Sequence, residues 1–449
     1  MTVALSPAEM ARLHEPDSYL DGPPLAELAR LRRTHGVVWI DEPTTVPTAV
    51  PASVPGGGPG YWLVLRHADV ERVLRDPGTF SSALGGTQIR DPAGAADLAF
   101  VRRMMLNMDP PEHSRLRRLV SASFTPRAVA AISDRIREHA RGLVDRMLDG
   151  PRTCDFAKDV AADLPLLTLA EVLGVPAQDR MLLFDWSNRV IGWQDPDYLA
   201  SAAFDAGTGT DLARSALKLR PRPDADGRMP DPRTRAGMAD LYEYAHLLAE
   251  HKRSHPGADV MSILLAQVDD DGGRLSVEEF ENMFWLFAVA GNETLRNGLP
   301  GACIGLLDNP SVQDELLADP SLLPSAVEEM LRWWTPVMVF RRTATRDVEL
   351  AGVRIAAGDK VVVSFLSANR DETVFPGPDT FDVHRKLGRH LVFGHGPHFC
   401  LGALVARTQM RALFGELLDR TEWLAPAGEP ALLRSNFQRG IKRLPVHWT

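Results

Sequence analysis

The chain has 449 residues, of which 45% are hydrophobic and 24% charged, and its formal net charge is −9. This composition is typical of a globular protein with a large core, and the acidic balance argues against nucleic acid as the main partner. The three cysteines, Cys154, Cys303 and Cys400, are too few for a disulfide framework. We find no signal peptide and no apolar run of membrane-spanning length, and therefore expect a cytoplasmic protein without a membrane anchor.

Three stretches rich in turn-forming residues interrupt the apolar segments. Residues 43–60 predict a flexible Pro/Gly-rich insertion, and residues 84–95 predict a mobile loop. Residues 220–235 cannot form a helix, because each proline removes a backbone donor and blocks the preceding turn. Helical patterns resume after each stretch, so we expect one domain spanning 1–449.

Most of the chain has helical periodicity, and strands are predicted in only a few places. YWLVLR at 61–66 predicts one strand, and DVELAGVRIAAGDKVVVSF at 347–365 predicts two or three, with turns at Gly352 and Gly358. The fold class predicted is therefore mainly α with a small β portion.

One long helix is predicted to begin after Ser276, which forms a capping box with Glu279. The apolar pattern continues to Leu307, before the stop signal Asn309-Pro310. A helix of this length that is apolar through residues 284–290 is expected to cross the middle of the molecule. Pro300 lies inside it, and we expect a kink there.

The segment AGNET, residues 290–294, places a glycine, an acid and an alcohol in the middle of this helix. Gly291 would leave room for a ligand, and Glu293 with Thr294 could hold a water and pass protons. Two alternatives stay open at this point. Thr294 could simply donate its hydroxyl to the Ala290 carbonyl, and Glu293 could lie on a solvated face.

The C-terminal stretch FGHGPHFCLG, residues 393–402, surrounds Cys400 with glycines. Glycines let a backbone approach a flat ligand closely, and N–H groups of such a loop can point at a thiolate. The alternatives are a buried structural cysteine and a zinc site. The candidate zinc ligands would be His390, His395, His398 and Cys400.

Four motifs stand in a fixed order: HSRLR at 113–117, AGNET, EEMLR at 328–332 and FGHGPHFCLG. Together they resemble those of the cytochrome P-450 superfamily of haem-thiolate monooxygenases. The resemblance implies the P-450 fold, with the long central helix lying over the haem. It covers most of the chain, from about Tyr61 onward. Glu329 and Arg332, with Arg385, would form a structural clamp without a catalytic role.

The resemblance also implies a role for each matching residue. Cys400 would be the metal ligand of haem b, and Glu293 and Thr294 would be the catalytic acid–alcohol pair that delivers protons. O2 would be the co-substrate. The residues expected to contact the haem are His113, Arg117, Ala290, Gly291, Arg342, Phe393, His398, Cys400 and Gly402.

Electrons would come from a separate ferredoxin and its NAD(P)H-dependent reductase. A basic surface could steer an acidic donor, although solvated helix faces are an equal alternative. Its candidate residues are Arg102, Arg103, Arg115, Arg118, Lys386 and Arg389. We expect a monomer.

The substrate would be an apolar small molecule. AGNETLRN and SNFQRGIKRLPV (435–446) resemble a bacterial clan that hydroxylates steroids, terpenoids and branched lipids. The 220–235 stretch would be an insertion in the lid region, which could alter substrate access. Two other functions stay open: tailoring of a bulky natural product, and ligand sensing without turnover. The pocket candidates, each of which could also be plain core, are Phe284, Phe287, Val337, Met338, Val339, Phe340 and Phe437.

Overall fold

The computed structural model describes residues 5–42, 58–92, 94–199, 204, 207–225, 229–268, 272–386, 389–421 and 424–449. The insertion predicted at 43–60 lies outside the described residues except for its last three positions. Residues 226–228 of the predicted lid loop also lie outside them.

Helices account for most of the described chain, as the sequence predicted. In chain order they are α1 (Pro7–His14), α2 (Leu25–Thr34), α3 (His67–Arg75), α4 (Ala95–Val101), α5 (Glu112–Ser121), α6 (Pro126–Asp149), α7 (Asp163–Leu173), α8 (Arg180–Ile191), α9 (Pro196–Leu199), α10 (Asp211–Ala216), α11 (Ala239–Ser254), α12 (Val260–Ala266), α13 (Val277–Leu307), α14 (Pro310–Ala318), α15 (Leu323–Trp334), α16 (Phe365–Ala368) and α17 (Ala403–Arg420). Among the described residues, no helix combines the length and apolar character needed to cross a membrane.

The strands are short and are β1 (Val37–Ile40), β2 (Tyr61–Val64), β3 (Phe80–Ser81), β4 (Thr153–Asp155), β5 (Val339–Ala344), β6 (Val348–Leu350), β7 (Val353–Ile355), β8 (Lys360–Ser364), β9 (Leu424–Pro426), β10 (Ala431–Leu432), β11 (Ile441–Arg443) and β12 (Pro445–Trp448). The largest described sheet has the order β1-β2-β8-β5-β3, in which β2 and β8 are parallel. The strands predicted at 61–66 and 347–365 are confirmed. Both predicted turn glycines, Gly352 and Gly358, have positive φ.

The long helix α13 is confirmed with its predicted start. The Ser276 side chain caps the helix and forms the capping box with Glu279. The first half of α13, through Val289, packs in one hydrophobic cluster with α8 and α11, and its second half, from Leu295, packs in another with α6 and α17. The helix therefore connects two cores, and it continues through Pro300 without ending.

The loop predicted to be mobile at 84–95 is tied down along its middle. The Arg341 guanidinium pairs with Asp91 at 2.8 Å and donates to the Ile89 carbonyl. The backbone N–H of Arg341 donates to the Thr87 carbonyl at 2.9 Å. A Cβ on Gly85 would lie 2.3 Å from this guanidinium, so glycine is required for the close approach. The loop was expected to be mobile because its composition does not reveal the contacts with Arg341, which lies far away in the chain.

The described parts of the 220–235 stretch are also anchored by ion pairs. Arg220 pairs with buried Asp185 at 2.8 Å, and Arg235 pairs with Glu281 of α13 at 2.9 Å. Arg233 donates to the Arg90 carbonyl at 3.0 Å and so joins this stretch to the 84–92 loop.

The clamp expected from EEMLR is formed. Buried Glu329 accepts two hydrogen bonds from Arg332, at 2.6 and 2.7 Å, and pairs with Arg385 at 3.3 Å. Arg332 also donates to the carbonyls of Asn369 and Pro378. A carboxylate so fully engaged serves to hold chain segments together.

Candidate active site

The Cys400 loop is a compact turn whose shape depends on two glycines. Gly394 and Gly396 have φ of 71° and 69°. Residues that carry a Cβ rarely adopt this left-handed backbone region. A Cβ on Gly396 would lie 2.4 Å from the Leu74 carbonyl oxygen, at the end of α3. The Cys400 N–H donates to the Phe393 carbonyl at 2.9 Å and closes the turn.

Cys400 is accessible to solvent, but protein atoms surround its side chain, as they do in a recess of the surface. This burial raises the pKa of the thiol. The backbone N–H groups of Gly402 and Ala403 and the positive charge of Arg117 act in the opposite direction. The predicted arrangement of N–H groups around the sulfur is therefore present, and α17 begins directly after it. A helix N-terminus is a favourable position for a thiolate.

Basic side chains converge beside this loop. The His113 and His398 rings lie 4.1 Å apart between centroids, and Arg117 donates to the Phe399 carbonyl. Burial, together with the charge of Arg342, lowers the pKa of His398 to about 2. Burial lowers the pKa of His113 to about 4, helped by Arg117. The structure thus brings together the four residues that the resemblance assigned to the haem propionates.

Across the residues that the structure describes, no carboxylate forms an ion pair with the two arginines of this basic cluster. Arg342 is 3% exposed, and burial lowers its pKa to about 10. Asp109, the acid whose charge acts on it, is engaged by the Ser82 N–H at 2.8 Å and by the Ser81 hydroxyl. The buried His113 Nδ1 also has no hydrogen-bond partner among the described residues. Such a cluster fits the carboxylates of a bound group, and haem carries two of them.

The zinc alternative does not fit the geometry. His390 bonds to Glu328 at 2.9 Å, His395 accepts from Arg75 at 2.6 Å, and His398 lies 3.2 Å from the Ser82 hydroxyl. Over the described ranges, no three His, Cys, Asp or Glu side chains are grouped for a metal ion.

The middle of α13 contains an accessible patch in a buried helix. Residues 280–289 are all buried, whereas Ala290 and Gly291 are exposed and Thr294 is partly exposed. The Thr294 hydroxyl donates to the Ala290 carbonyl at 2.9 Å. This is the hydrogen bond that the sequence offered as the alternative to a role in proton transfer. A Cβ on Gly291 would lie 2.8 Å from Leu169, so this glycine also permits the close approach of α7.

Glu293, the residue before Thr294, is fully buried. Its carboxylate pairs with Arg296 at 2.9 Å and accepts from the Asn297 amide at 3.1 Å. The alternative that Glu293 lies on a solvated face is therefore wrong. Arg296 in turn donates to the Tyr198 hydroxyl at 2.7 Å and to Asn188.

Arg296 and Asn297 were not predicted as site residues. They follow Glu293 by three and four positions, the spacing at which helical side chains meet. That spacing could have identified Arg296 and Asn297 as partners of Glu293 from the sequence.

The apolar pocket candidates separate into accessible and core positions. Phe340 and Phe437 are partly exposed and stack with ring centroids 6.0 Å apart, and Val337 forms a β-bridge beside them with Gln438. Met338 and Val339 are buried.

Phe284 and Phe287 occupy different surroundings. Phe284 is fully buried against Trp186 and Tyr244, which corrects its assignment from the pocket to the core. Phe287 is 9% exposed and its ring contacts that of Phe124, with centroids 5.7 Å apart.

The remaining haem-contact candidates lie in the Cys400 loop. The Phe393 ring is partly exposed, and the Arg407 guanidinium lies over it, 4.4 Å from the centroid. Gly402 caps α17, and a Cβ there would lie 4.0 Å from the Cys400 sulfur.

Comparison with known proteins agrees with this arrangement. The family model for cytochrome P450 matches residues 242–446. A steroid C26-monooxygenase of Mycolicibacterium smegmatis is 36% identical over 431 residues, covering 95% of this chain and 91% of the relative. A methyl-branched lipid omega-hydroxylase of Mycobacterium tuberculosis is 39% identical over 394 residues, covering 87% of this chain and 84% of the relative.

Solved structures show the same likeness. A Mycobacterium marinum cytochrome P450 in complex with pseudoionone superposes with a TM-score of 0.80 and 36% identity, covering 94% of each chain. The ordered motifs, the fold and the relatives coincide over nearly the whole length. The chain therefore belongs to the cytochrome P450 family of monooxygenases.

Proposed function

We propose that the chain oxygenates an apolar steroid or methyl-branched lipid in the space next to the accessible patch on α13. That patch carries the proposal, because Ala290 and Gly291 open an otherwise buried helix beside a threonine hydroxyl. The two relatives compared above are named for steroid and methyl-branched lipid substrates. The Phe340–Phe437 pair offers an apolar wall of matching character.

The residues around Cys400 suit a haem. The Cys400 sulfur would hold the haem iron, and the basic cluster of His113, Arg117, Arg342 and His398 would bind the propionates. Bound haem supplies the iron centre for O2 activation, and its thiolate ligand favours O–O cleavage. Phe393 and Gly402 would pack on the cysteine side, and Ala290 and Gly291 on the opposite side.

Protons would reach the reaction through Thr294. Its hydroxyl holds a proton at the edge of the accessible patch, bonded to the Ala290 carbonyl. Glu293 immediately precedes Thr294 in the helix. The two side chains are separated by about 100° around the helix axis, so they do not face each other. Glu293 would therefore exchange protons with Thr294 through a bridging water or after leaving Arg296, which now holds it.

Electrons would come from a ferredoxin served by an NAD(P)H-dependent reductase. Of the predicted basic surface, Arg103 and Arg115 pair with Glu278 and Glu279 at the start of α13, and Arg102 donates to the Leu84 carbonyl. Arg118, Lys386 and Arg389 are exposed. We assign the docking of an acidic donor to Lys386 and Arg389.

The test is an optical titration of the haem-loaded ferric protein with sterols, methyl-branched fatty alcohols and small aromatic compounds. A molecule that enters the space beside the iron shifts the Soret band toward high spin. We expect the sterol or branched-lipid class to produce this shift at the lowest concentrations. Tighter binding of the small aromatic compounds, or no shift with any of the three, would overturn the proposed substrate class.

A further inference from the structure

A cavity lies beside Phe437. Its walls come from the N-terminal segment at His14, the 84–92 loop at Arg90, the residues after α8 at Gln194, and the C-terminal segment at Arg434 and Phe437. We call it the Arg90 cavity. Phe437 also stacks on Phe340, so this cavity adjoins the apolar wall proposed above.

Arg90 differs from the neighbouring arginines in having no acidic partner. Arg434 pairs with Asp17, and Arg233 pairs with Asp231 at 2.7 Å. Among the described residues, no carboxylate lies within ion-pair distance of Arg90, and its buried Nη1 has no hydrogen-bond partner. Burying a permanently charged donor without a partner is unfavourable, which indicates a site for a bound anion.

The charge of Glu42 acts on Arg90 from beyond ion-pair distance, and Glu42 is itself paired with Lys360. Burial lowers the pKa of His14 to about 4, and the charge of Arg90 lowers it further, so His14 is neutral near pH 7. The charges of Arg434 and Asp17 cancel in their own pair.

The walls favour a carboxylate over a more highly charged anion. A guanidinium presents a planar fork that matches the two oxygens of a carboxylate. Glu15 also lines the cavity, and its carboxylate would repel a doubly charged phosphate more strongly than a singly charged carboxylate. A single carboxylate satisfies Arg90 with the least repulsion from Glu15.

We propose that the Arg90 cavity binds the carboxylate of an amphipathic substrate whose apolar body extends past Phe437 toward Phe340. This inference rests on the proposed function and narrows it to apolar acids, such as a branched fatty acid or a steroid with an acidic side chain. The 84–92 loop, held by Arg341, would position Arg90 for this contact.

The test compares one long-chain methyl-branched fatty acid with its methyl ester and its primary alcohol. Each compound is titrated into the haem-loaded protein, and the Soret shift and the ligand-dependent rise in melting temperature are recorded. The acid should bind at least about tenfold more tightly than either neutral compound, which is the effect of one charge-assisted pair. In Arg90→Gln the preference should fall to less than about twofold, while the ester binds as before.

Arg354→Gln is the matched control, because it removes the same charge from an exposed pair with Asp347. It should keep the full preference for the acid. Tight but equal binding of acid and ester to the unaltered protein would overturn the carboxylate site and leave the apolar-substrate proposal standing. No binding of any of the three compounds would overturn the carboxylate site and the branched-lipid part of the proposed function, whereas a Soret shift with a sterol would still support its steroid part. If Arg90→Gln fails to load haem, the acid-to-ester ratio of the unaltered protein still decides.

Discussion

Replacing Gly396 by alanine should disrupt the cysteine loop through two separate effects. At φ of 69°, an added Cβ costs about 1–2 kcal/mol of backbone strain. That Cβ would also lie 2.4 Å from the Leu74 carbonyl oxygen, and overpacking against backbone typically costs a further 1–3 kcal/mol, giving about 2–5 kcal/mol in total. The apparent free energy of unfolding of the haem-loaded protein in urea measures this loss. The carbonyl spectrum of the reduced protein should also show less thiolate-type haem.

Gly394 provides the matched control for this substitution. Its φ is 71°, but the nearest atom to an added Cβ is the His398 carbonyl oxygen at 3.7 Å, an ordinary contact. Gly394→Ala should therefore lose only the strain of about 1–2 kcal/mol. Equal losses for the two variants would refute the conclusion that contact with α3 fixes the shape of this loop.

Cys400→Ser should abolish the thiolate-type carbonyl spectrum, and a variant that keeps this spectrum would disprove the proposed ligand. Thr294→Ala should keep the substrate-induced Soret shift but slow product formation by about 10²-fold, with electrons appearing as hydrogen peroxide; unchanged product per electron would remove Thr294 from proton delivery. Burial alone would raise the pKa of Glu328, but hydrogen bonds from Arg407 and His390 lower it to about 2. Because the folded-state pKa is lowered, this carboxylate stabilises the protein above its ordinary pKa of 4.5, and the stabilisation is lost as pH falls toward 2. Glu328→Gln should therefore be less stable by about 3 kcal/mol at pH 7, and urea unfolding should show this difference shrinking below pH 4.5; a difference independent of pH would contradict the assignment.

The features that sequence predicted well depend on local signals. The start of α13 is set by Ser276 and Glu279, which are three residues apart, and its end is set by the adjacent Asn309-Pro310. The positive φ of Gly352 and Gly358 follows from the turn each residue occupies. Local rules describe such features because all the interacting groups are close in the chain.

The features that sequence missed depend on residues far apart in the chain. The 84–92 loop is fixed by Arg341, about 250 positions away, so its turn-rich composition alone suggested mobility. Phe284 is enclosed by Trp186 of α8 and Tyr244 of α11, which no helical pattern in α13 could specify. The surroundings of Glu293 combine local and distant contacts. Its partner Arg296 is three residues away, but Tyr198, to which Arg296 donates, is distant in the chain.

The neighbours Arg341 and Arg342 on β5 have a consequence for how this protein can diversify. Successive side chains of a strand point to opposite faces. Arg341 holds the 84–92 loop, and Arg342 belongs to the basic cluster near Cys400. Mutations that reshape the loop therefore act on one face of the strand and leave the other face intact. New substrate preferences can arise by drift in this loop while the prosthetic group stays in place.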